Sequence, residues 1–378
     1  MKRVGIILLA AAVGILSGCE GDNSRIVSEN NNTTVTVAVR SGEKESWEAV
    51  TRKFFTENPE IRLSFIELGS EFEQYRLLTS ALSSRNRAFD IMEIEDVLTD
   101  EFIEKRYVKT LVKAPSVADN CIQTARSAFM RDGKWYAVPF QADIGMMLTQ
   151  GSYDISRGLY AESGDVSEYA VSAPDLSDET DVTGVLMELV AYTGDAEKGI
   201  RLYKSIYRDS IQGKANIKLF KEGKIPTLRV WSSEVKKYRE QRKGGSFEFR
   251  VNNFPKTAAG KEISSAKILG LAISALSEKD EQCEKFLDYC SSREFQVEWV
   301  RYTGVYPIAK GLYDNAAINS EWNHIYPMKE RIESLQIRPS AKSYISKADK
   351  LQSDMEEYLS DDSCLSRVLQ SYNEICKN

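Results

Sequence analysis

Histidine is almost missing from this chain: His324 is the only one in 378 residues. A zinc site built from several imidazoles is therefore excluded. There is no Cys-x-x-Cys pair, no His-Glu-x-x-His pattern, no nucleophile elbow and no triad spacing. The motifs of metal-assisted or nucleophilic hydrolysis are thus lacking. The chain also lacks a surplus of positive charge. Its net charge is −6 and no basic stripe stands out, which leaves nucleic-acid binding without electrostatic support. No internal repeat and no low-complexity block interrupts it. Past residue 16 no apolar run is long enough to span a bilayer.

What is present reads as an ordinary globular composition, 42% hydrophobic and 28% charged. The length exceeds what one small core usually serves, so two domains are expected. Lys2-Arg3 precede a short apolar stretch over residues 4–16, which closes in Leu16-Ser17-Gly18-Cys19. This is a leader rather than part of the fold. Its end resembles a bacterial lipobox, which implies that Cys19 becomes the lipidated first residue of the mature chain. Residues 20–32, rich in Asn, Asp, Gly and Ser, read as a solvated tether. Five cysteines follow Cys19, so at least one is a free thiol or bonds another chain. Cys283 and Cys290 sit seven apart in a helical pattern, roughly 10 Å along the axis, and do not pair.

Strands and helices alternate from residue 35 onward. Residues 35–39, 61–67 and 89–95 read as strands, and 43–58, 70–84 and 99–106 as helices. Such alternation predicts an α/β fold with a parallel sheet, whose ligands sit at the carboxyl ends of the strands. Arg40 and Glu43 follow the first strand, and Glu95 and Asp96 follow the third. Each is a candidate ligand contact. Helix capping accounts equally for Glu43, and plain surface charge for Glu95 and Asp96.

Residues 133–147 stand out next. The Asp132-Gly133 turn leads into an apolar run, Pro139, a polar break at Gln141 and Asp143, and a second apolar run. Pro139 donates no backbone N–H and holds its predecessor extended. The segment reads as leaving one lobe and entering another. Beyond it, 182–192, 195–209 and 232–241 read as helices. Residues 225–231 and 266–274 are extended, and Phe247, Phe249 and Val251 alternate as in a half-buried strand. Single long helices are expected over 278–302, 315–335 and 343–376, while 153–181 fits no element.

Four stretches then carry a family likeness: FDIMEIEDVLTDEFIEKRYVKTL at 89–111, GKWYAVPFQADIGMML at 133–148, the long segment 268–314 and IRPSAKSYISKADKLQSDMEEYLS at 337–360. In this order, and with the lipobox, they resemble the extracellular solute-binding proteins of carbohydrate ABC importers, the maltose-binding-protein-like group. The resemblance implies a two-lobe α/β fold of the periplasmic-binding-protein type. Lobe I takes 33–139 plus 273–325, and lobe II takes 140–272 plus 326–378, after a leader over 1–18 and a tether over 19–32. It places hinge crossings at 133–147, 266–274 and 325–338. It implies a sugar or oligosaccharide captured in the cleft and handed to membrane permease subunits. It further implies a lipid anchor outside the cytoplasm, a monomer, no enzyme activity, no cofactor and no metal.

On the resemblance, Gln141 and Asp143 occupy the polar position after Val-Pro-Phe. Trp231 ends a strand of the second lobe and could stack on a sugar face, and Tyr306 lies in the turn after Gly304. Trp47, Trp135 and Trp299 read as core, and His324 receives no role. One departure matters. Residues 148–182 show neither the tyrosine-rich strand nor the Pro-x-Thr-Trp turn usual after the first hinge, which leaves the substrate open. A sensory adaptor that signals ligand to a membrane kinase, or a receptor for another solute, uses the same fold.

Overall fold

The computed structural model describes residues 33–69, 71–151, 179–209, 218, 220–223, 226–242, 248–254, 256–257, 259–339 and 343–376. The leader, Cys19, the tether, most of 153–181, Ile217 and Phe247 lie outside the described residues. Strand β1 (Thr33–Arg40) runs parallel to β2 (Ile61–Leu68) in unbroken register, from Thr33 opposite Ile61 to Arg40 opposite Leu68. Its other edge pairs in parallel with β3 (Ile91–Glu95). Helices α1 (Lys44–Val50), α2 (Arg52–Glu57) and α3 (Glu71–Ser83) make the crossovers that parallel strands require. A 3-10 turn, Asp96–Leu98, leads from β3 into α4 (Thr99–Glu104).

Helix α5 (Gln123–Phe129) and the hairpin of β4 (Met130–Arg131) with β5 (Lys134–Trp135) then deliver the chain to β6 (Val138–Thr149). All twelve residues of β6 are buried. Its register slips between Pro139 and Gln141, where proline removes a ladder donor. The strand changes partners along its length. Residues from Val138 to Ile144 pair antiparallel with β9 (Ser265–Ile273). From Gly145 onward β6 pairs with β7 (Thr227–Trp231), and from Met146 with β8 (Arg250–Asn253). Strand β9 likewise joins β3 at its far end and β10 (Gln336–Ile337) at its start. The sheet order is β2-β1-β3-β9-β6-β7, with β10 on β9 and β8 on β6.

Gly145 sits where β6 switches partners. A Cβ there would lie 2.1 Å from Glu188 Oε1 and 2.8 Å from Arg229 Nη2. Any larger residue would have to displace this buried ion pair, in which Arg229 Nη2 is 3.0 Å from Glu188 Oε1. Helices α6 (Glu179–Thr193), α7 (Ala196–Asp209), α12 (Tyr344–Ser360) and α13 (Leu365–Cys376) pack together around the β7 end. Helices α9 (Asp280–Ser291) and α10 (Arg293–Thr303) cover the β1 end with α1. There Trp47, fully buried, lies 4.3 Å from the Trp299 ring and 5.2 Å from Phe140. Trp135 is buried too, so the three tryptophans read as core are core.

Several single helices expected from the sequence are broken. Residues 43–58 split at Thr51, whose hydroxyl donates back to the Trp47 carbonyl at 2.6 Å. Residues 278–302 split at Ser292, which is extended and accepts from the Phe295 N–H as an N-cap. Residues 315–335 hold only α11 (Ala316–Glu321), then 3-10 turns at Tyr326–Met328 and Ile332–Ser334. Pro327 cannot supply the donor that a continuing helix needs. The C-terminal helix breaks at Asp361, whose carboxylate caps the turn Asp362–Cys364. All five cysteines after Cys19 are free thiols.

Candidate functional site

The end of β1 carries the first site group. Arg40 Nη2 lies 2.5 Å from Glu43 Oε1, and Nε lies 2.7 Å from Glu93 Oε1 on the neighbouring strand. Its Nη1 approaches Asp143 Oδ2 of β6 at 3.9 Å. Burial alone would lower the Arg40 pKa, but Glu43, Glu93 and Asp143 together hold it well above its ordinary value. Glu93 is almost fully buried, and burial followed by the Glu43 charge raises its pKa well above a normal glutamate's.

Asp143 ties this group to the other side of the sheet. The Ser232 hydroxyl donates to its Oδ1 at 2.7 Å, and the Ser233 N–H donates to the same oxygen at 2.9 Å. The Ser233 hydroxyl donates to Oδ2 at 2.7 Å. Ser232 Oγ also accepts from the Ile144 N–H at 3.1 Å. Three donors thus converge on this buried carboxylate and satisfy both of its oxygens. Ser232 and Ser233 open the 3-10 turn Ser232–Glu234 that runs into helix α8 (Val235–Arg242).

Above this floor lies a cavity of about 320 Å³. One wall is the loop after β1 with the start of α1: Gly42, Glu43, Glu45 and Ser46. The facing wall is Ser233 with Lys236, Lys237 and Glu240 of α8. Tyr302, Thr303 and Val305 close the end, around the turn where Gly304 takes a left-handed φ of +78°. A Cβ on Gly304 would meet the Trp322 ring at 2.7 Å, so the turn demands glycine on both counts.

The eight expected site residues fall into three groups. Arg40, Glu43 and Asp143 come together as floor and wall. Glu95 and Asp96 are buried and clamp the Arg338 guanidinium beyond β10; Asp96 Oδ1 also takes the Ile268 N–H at 3.4 Å. Burial chiefly, offset by Arg338, raises the Asp96 pKa to about 6. Gln141, Trp231 and Tyr306 are buried at the strand crossings and do not line the cavity. Trp299 Nε1 donates to Gln141 Oε1 at 2.6 Å. The Trp231 ring, expected to stack on a ligand, has the Arg229 guanidinium over it at 3.8 Å and Lys267 Nζ at 4.4 Å. The Tyr306 hydroxyl donates to Asn253 Oδ1 at 2.5 Å, and its backbone bridges Ala142.

The aromatic ring that does line the cavity is Tyr302, with Lys236 Nζ at 3.6 Å from its centroid. Sequence reading missed Tyr302, Glu93, Ser232, Ser233, Lys236 and Lys237. Glu93 alone carried a signal, as a carboxylate in the middle of an apolar strand, which needs a buried partner. Among the described residues no cluster could hold a metal, and no helix is long and apolar enough to cross a membrane.

Residues 157–325 match the family model described as bacterial extracellular solute-binding protein. A comparison with curated protein sequences found no match. Among solved structures, the chain is similar to maltose-bound MalE3 of T. maritima, at 14% identity and a TM-score of 0.76, covering 90% of this chain and 99% of that one. It is similar to the GacH receptor of Streptomyces glaucescens, solved unliganded and with acarbose, at 17% identity and a TM-score of 0.74, covering 91% and 98%. An ABC transporter solute-binding protein from Agrobacterium vitis with bound D-mannitol shares 16% identity and a TM-score of 0.68, covering 90% and 97%. The chain thus has the two-lobe fold of these solved binding proteins, and its residues 157–325 are similar to the extracellular solute-binding family.

Proposed function

We propose that the chain is the substrate-binding lipoprotein of an ABC importer, which captures a sugar or oligosaccharide between its lobes and delivers it to a membrane permease. The observation that carries this reading is the cavity itself. Its walls come from separate parts of the chain, and its floor is a buried polar network that ends in Glu43 and Ser233. Sugar hydroxyls both donate and accept, so a carboxylate and a serine hydroxyl side by side suit them. Tyr302 offers a ring to a sugar's C–H face. Strands β6, β9 and β10 act as the hinge, and a ligand that touches both walls shifts the population toward the closed form. The maltose, acarbose and D-mannitol in the solved relatives favour a polyhydroxylated solute.

Arg40 and Asp143 position the contact groups, while Glu95, Asp96, Gln141, Trp231 and Tyr306 brace the crossings. A lipid on Cys19 holds the chain at the outer face of the membrane, as a monomer. The test is a thermal-shift panel of glycans, peptides and polyamines on the full mature chain. A glycan is expected to raise the melting temperature, and Glu43→Gln with Ser233→Ala is expected to abolish that rise. A shift with peptides or polyamines alone refutes the sugar reading. Labelled palmitate should enter the wild type and not Cys19→Ser.

A further inference from the structure

Beside the cavity, two parts of the chain with separate supports grip each other. One is α8, which follows β7, and β7 pairs with the far half of β6. The other is the end of α10 with the residues that close α11; α11 packs on α10, and α10 packs on α1 at the opposite end of the sheet. Val235 and Tyr238 bury one face of α8. Lys236 and Arg239, three residues apart, share another face that is half-buried. The Arg239 guanidinium lies over the Trp322 ring at 4.3 Å, and its Nη1 donates to the Glu321 carbonyl at 2.6 Å. Lys236 Nζ lies over the Tyr302 ring at 3.6 Å.

The receiving side is fixed by contacts of its own. Trp322 Nε1 donates to the Arg301 carbonyl at 2.8 Å, and Arg301 Nη2 pairs with Glu321 Oε1 at 2.6 Å. The Tyr302 hydroxyl is hydrogen-bonded to Glu45. The His324 ring stands edge-on to Trp322 at 5.8 Å, with Nε2 at 2.9 Å from the Gly304 carbonyl. Burial lowers the His324 pKa to about 4, so the neutral ring donates this bond from Nε2. Both rings are thus held in place before a cation reaches them, and the grip costs little further ordering.

We infer that Lys236 and Arg239 form a latch that closes on Tyr302 and Trp322, and that they set solute affinity by stabilising the closed form. This rests on the hinged, two-lobe reading of the cavity. Two cations on aromatic faces, with one hydrogen bond between them, raise the ratio of closed to open form on the order of tenfold. Where the open form otherwise dominates, a solute that binds the closed form gains the same factor in apparent affinity.

The experiment is amide hydrogen exchange of the full mature chain with no solute added, read by mass spectrometry over residues 232–242 and 301–306. Exchange through opening reports the open fraction even when that fraction is small. Lys236→Met with Arg239→Met should speed exchange about tenfold on both sides, including residues 301–306, which carry neither substitution. Tyr302→Leu, which leaves α8 intact, should speed exchange in α8 as well. An effect confined to the substituted side, or no effect, overturns the latch. So does an equal rise in β1 and β2, which marks a general loosening. Because no solute is added, failure of the glycan panel leaves this result untouched, and loss of the latch leaves the saccharide reading standing.

Discussion

Replacing Asp143 by alanine should unfold the middle of the molecule more than any surface change could. Three donors point at this carboxylate: the Ser232 hydroxyl, the Ser233 N–H and the Ser233 hydroxyl. Arg40 Nη1 stands at 3.9 Å. Asp143 is about 1% exposed, so water cannot take the carboxylate's place without entering the sheet. The two hydroxyls can rotate to other acceptors, but the Ser233 N–H cannot. Each stranded buried donor costs about 1–3 kcal/mol, so Asp143→Ala should cost roughly 3–5 kcal/mol. That is a large share of a typical total of about 5–15 kcal/mol. Asp143→Asn keeps the shape and the oxygen that accepts the Ser233 N–H but puts an NH2 where Oδ2 accepts the Ser233 hydroxyl, which can turn away, so it should cost roughly half as much. Urea unfolding of the mature chain, followed by tryptophan fluorescence, measures both. With an unfolding entropy of about 2 cal/mol/K per residue over about 350 residues, the alanine variant should also melt on the order of 5 °C lower. An alanine variant within about 1 kcal/mol of wild type, or an asparagine variant worse than alanine, would refute the assignment of Asp143 as the central acceptor.

Gly145→Ala should cost about 3 kcal/mol or more in the same urea assay, because its Cβ would fall 2.1 Å from Glu188 Oε1 and force the buried Glu188–Arg229 pair apart. A variant as stable as wild type would show that the strand can shift there freely. Asp96 predicts a pH effect. Its folded pKa of about 6 lies above the ordinary 3.8, so its contribution is fully present below pH 3.8 and is lost as pH rises through about 6. The loss amounts to about 3 kcal/mol at about 1.4 kcal/mol per pKa unit. Stability of the wild type relative to Asp96→Asn should therefore fall between about pH 4 and 6. A difference that stays flat, or rises, over that range refutes the burial argument.

The α/β alternation of the first hundred residues was legible because it depends on local chemistry. β-Branched runs such as Val35–Val39 favour extended backbone, and stretches such as Trp47, Val50 and Phe54 place their apolar side chains on one helix face. Residues 133–147 were legible as a turn followed by extended chain for the same reason: a turn, a proline and apolar runs are local signals. The long helices at 278–302 and 315–335 were misread because their breaks hang on single residues. A serine that caps and a proline that withholds a donor alter little in an apolar pattern. Arg40 and Glu43 were singled out by the strand-end rule and Asp143 by the family resemblance. Lys236, Lys237, Ser233 and Tyr302 were not, because as lone residues they resemble any solvated helix face or loop.

Residue types in sequence thus settled most of the strands and the broad helical regions, since backbone preference and periodicity act over a few neighbours. Folding alone decided that the loop after β1, the start of α8 and the Gly304 turn bound one cavity, although they stand near residues 43, 236 and 304. It also decided that Trp231 is capped by Arg229 and Lys267 while Tyr302 faces the opening. Burial and charge pairing are properties of groups brought together from distant parts of the chain, and no local pattern encodes them.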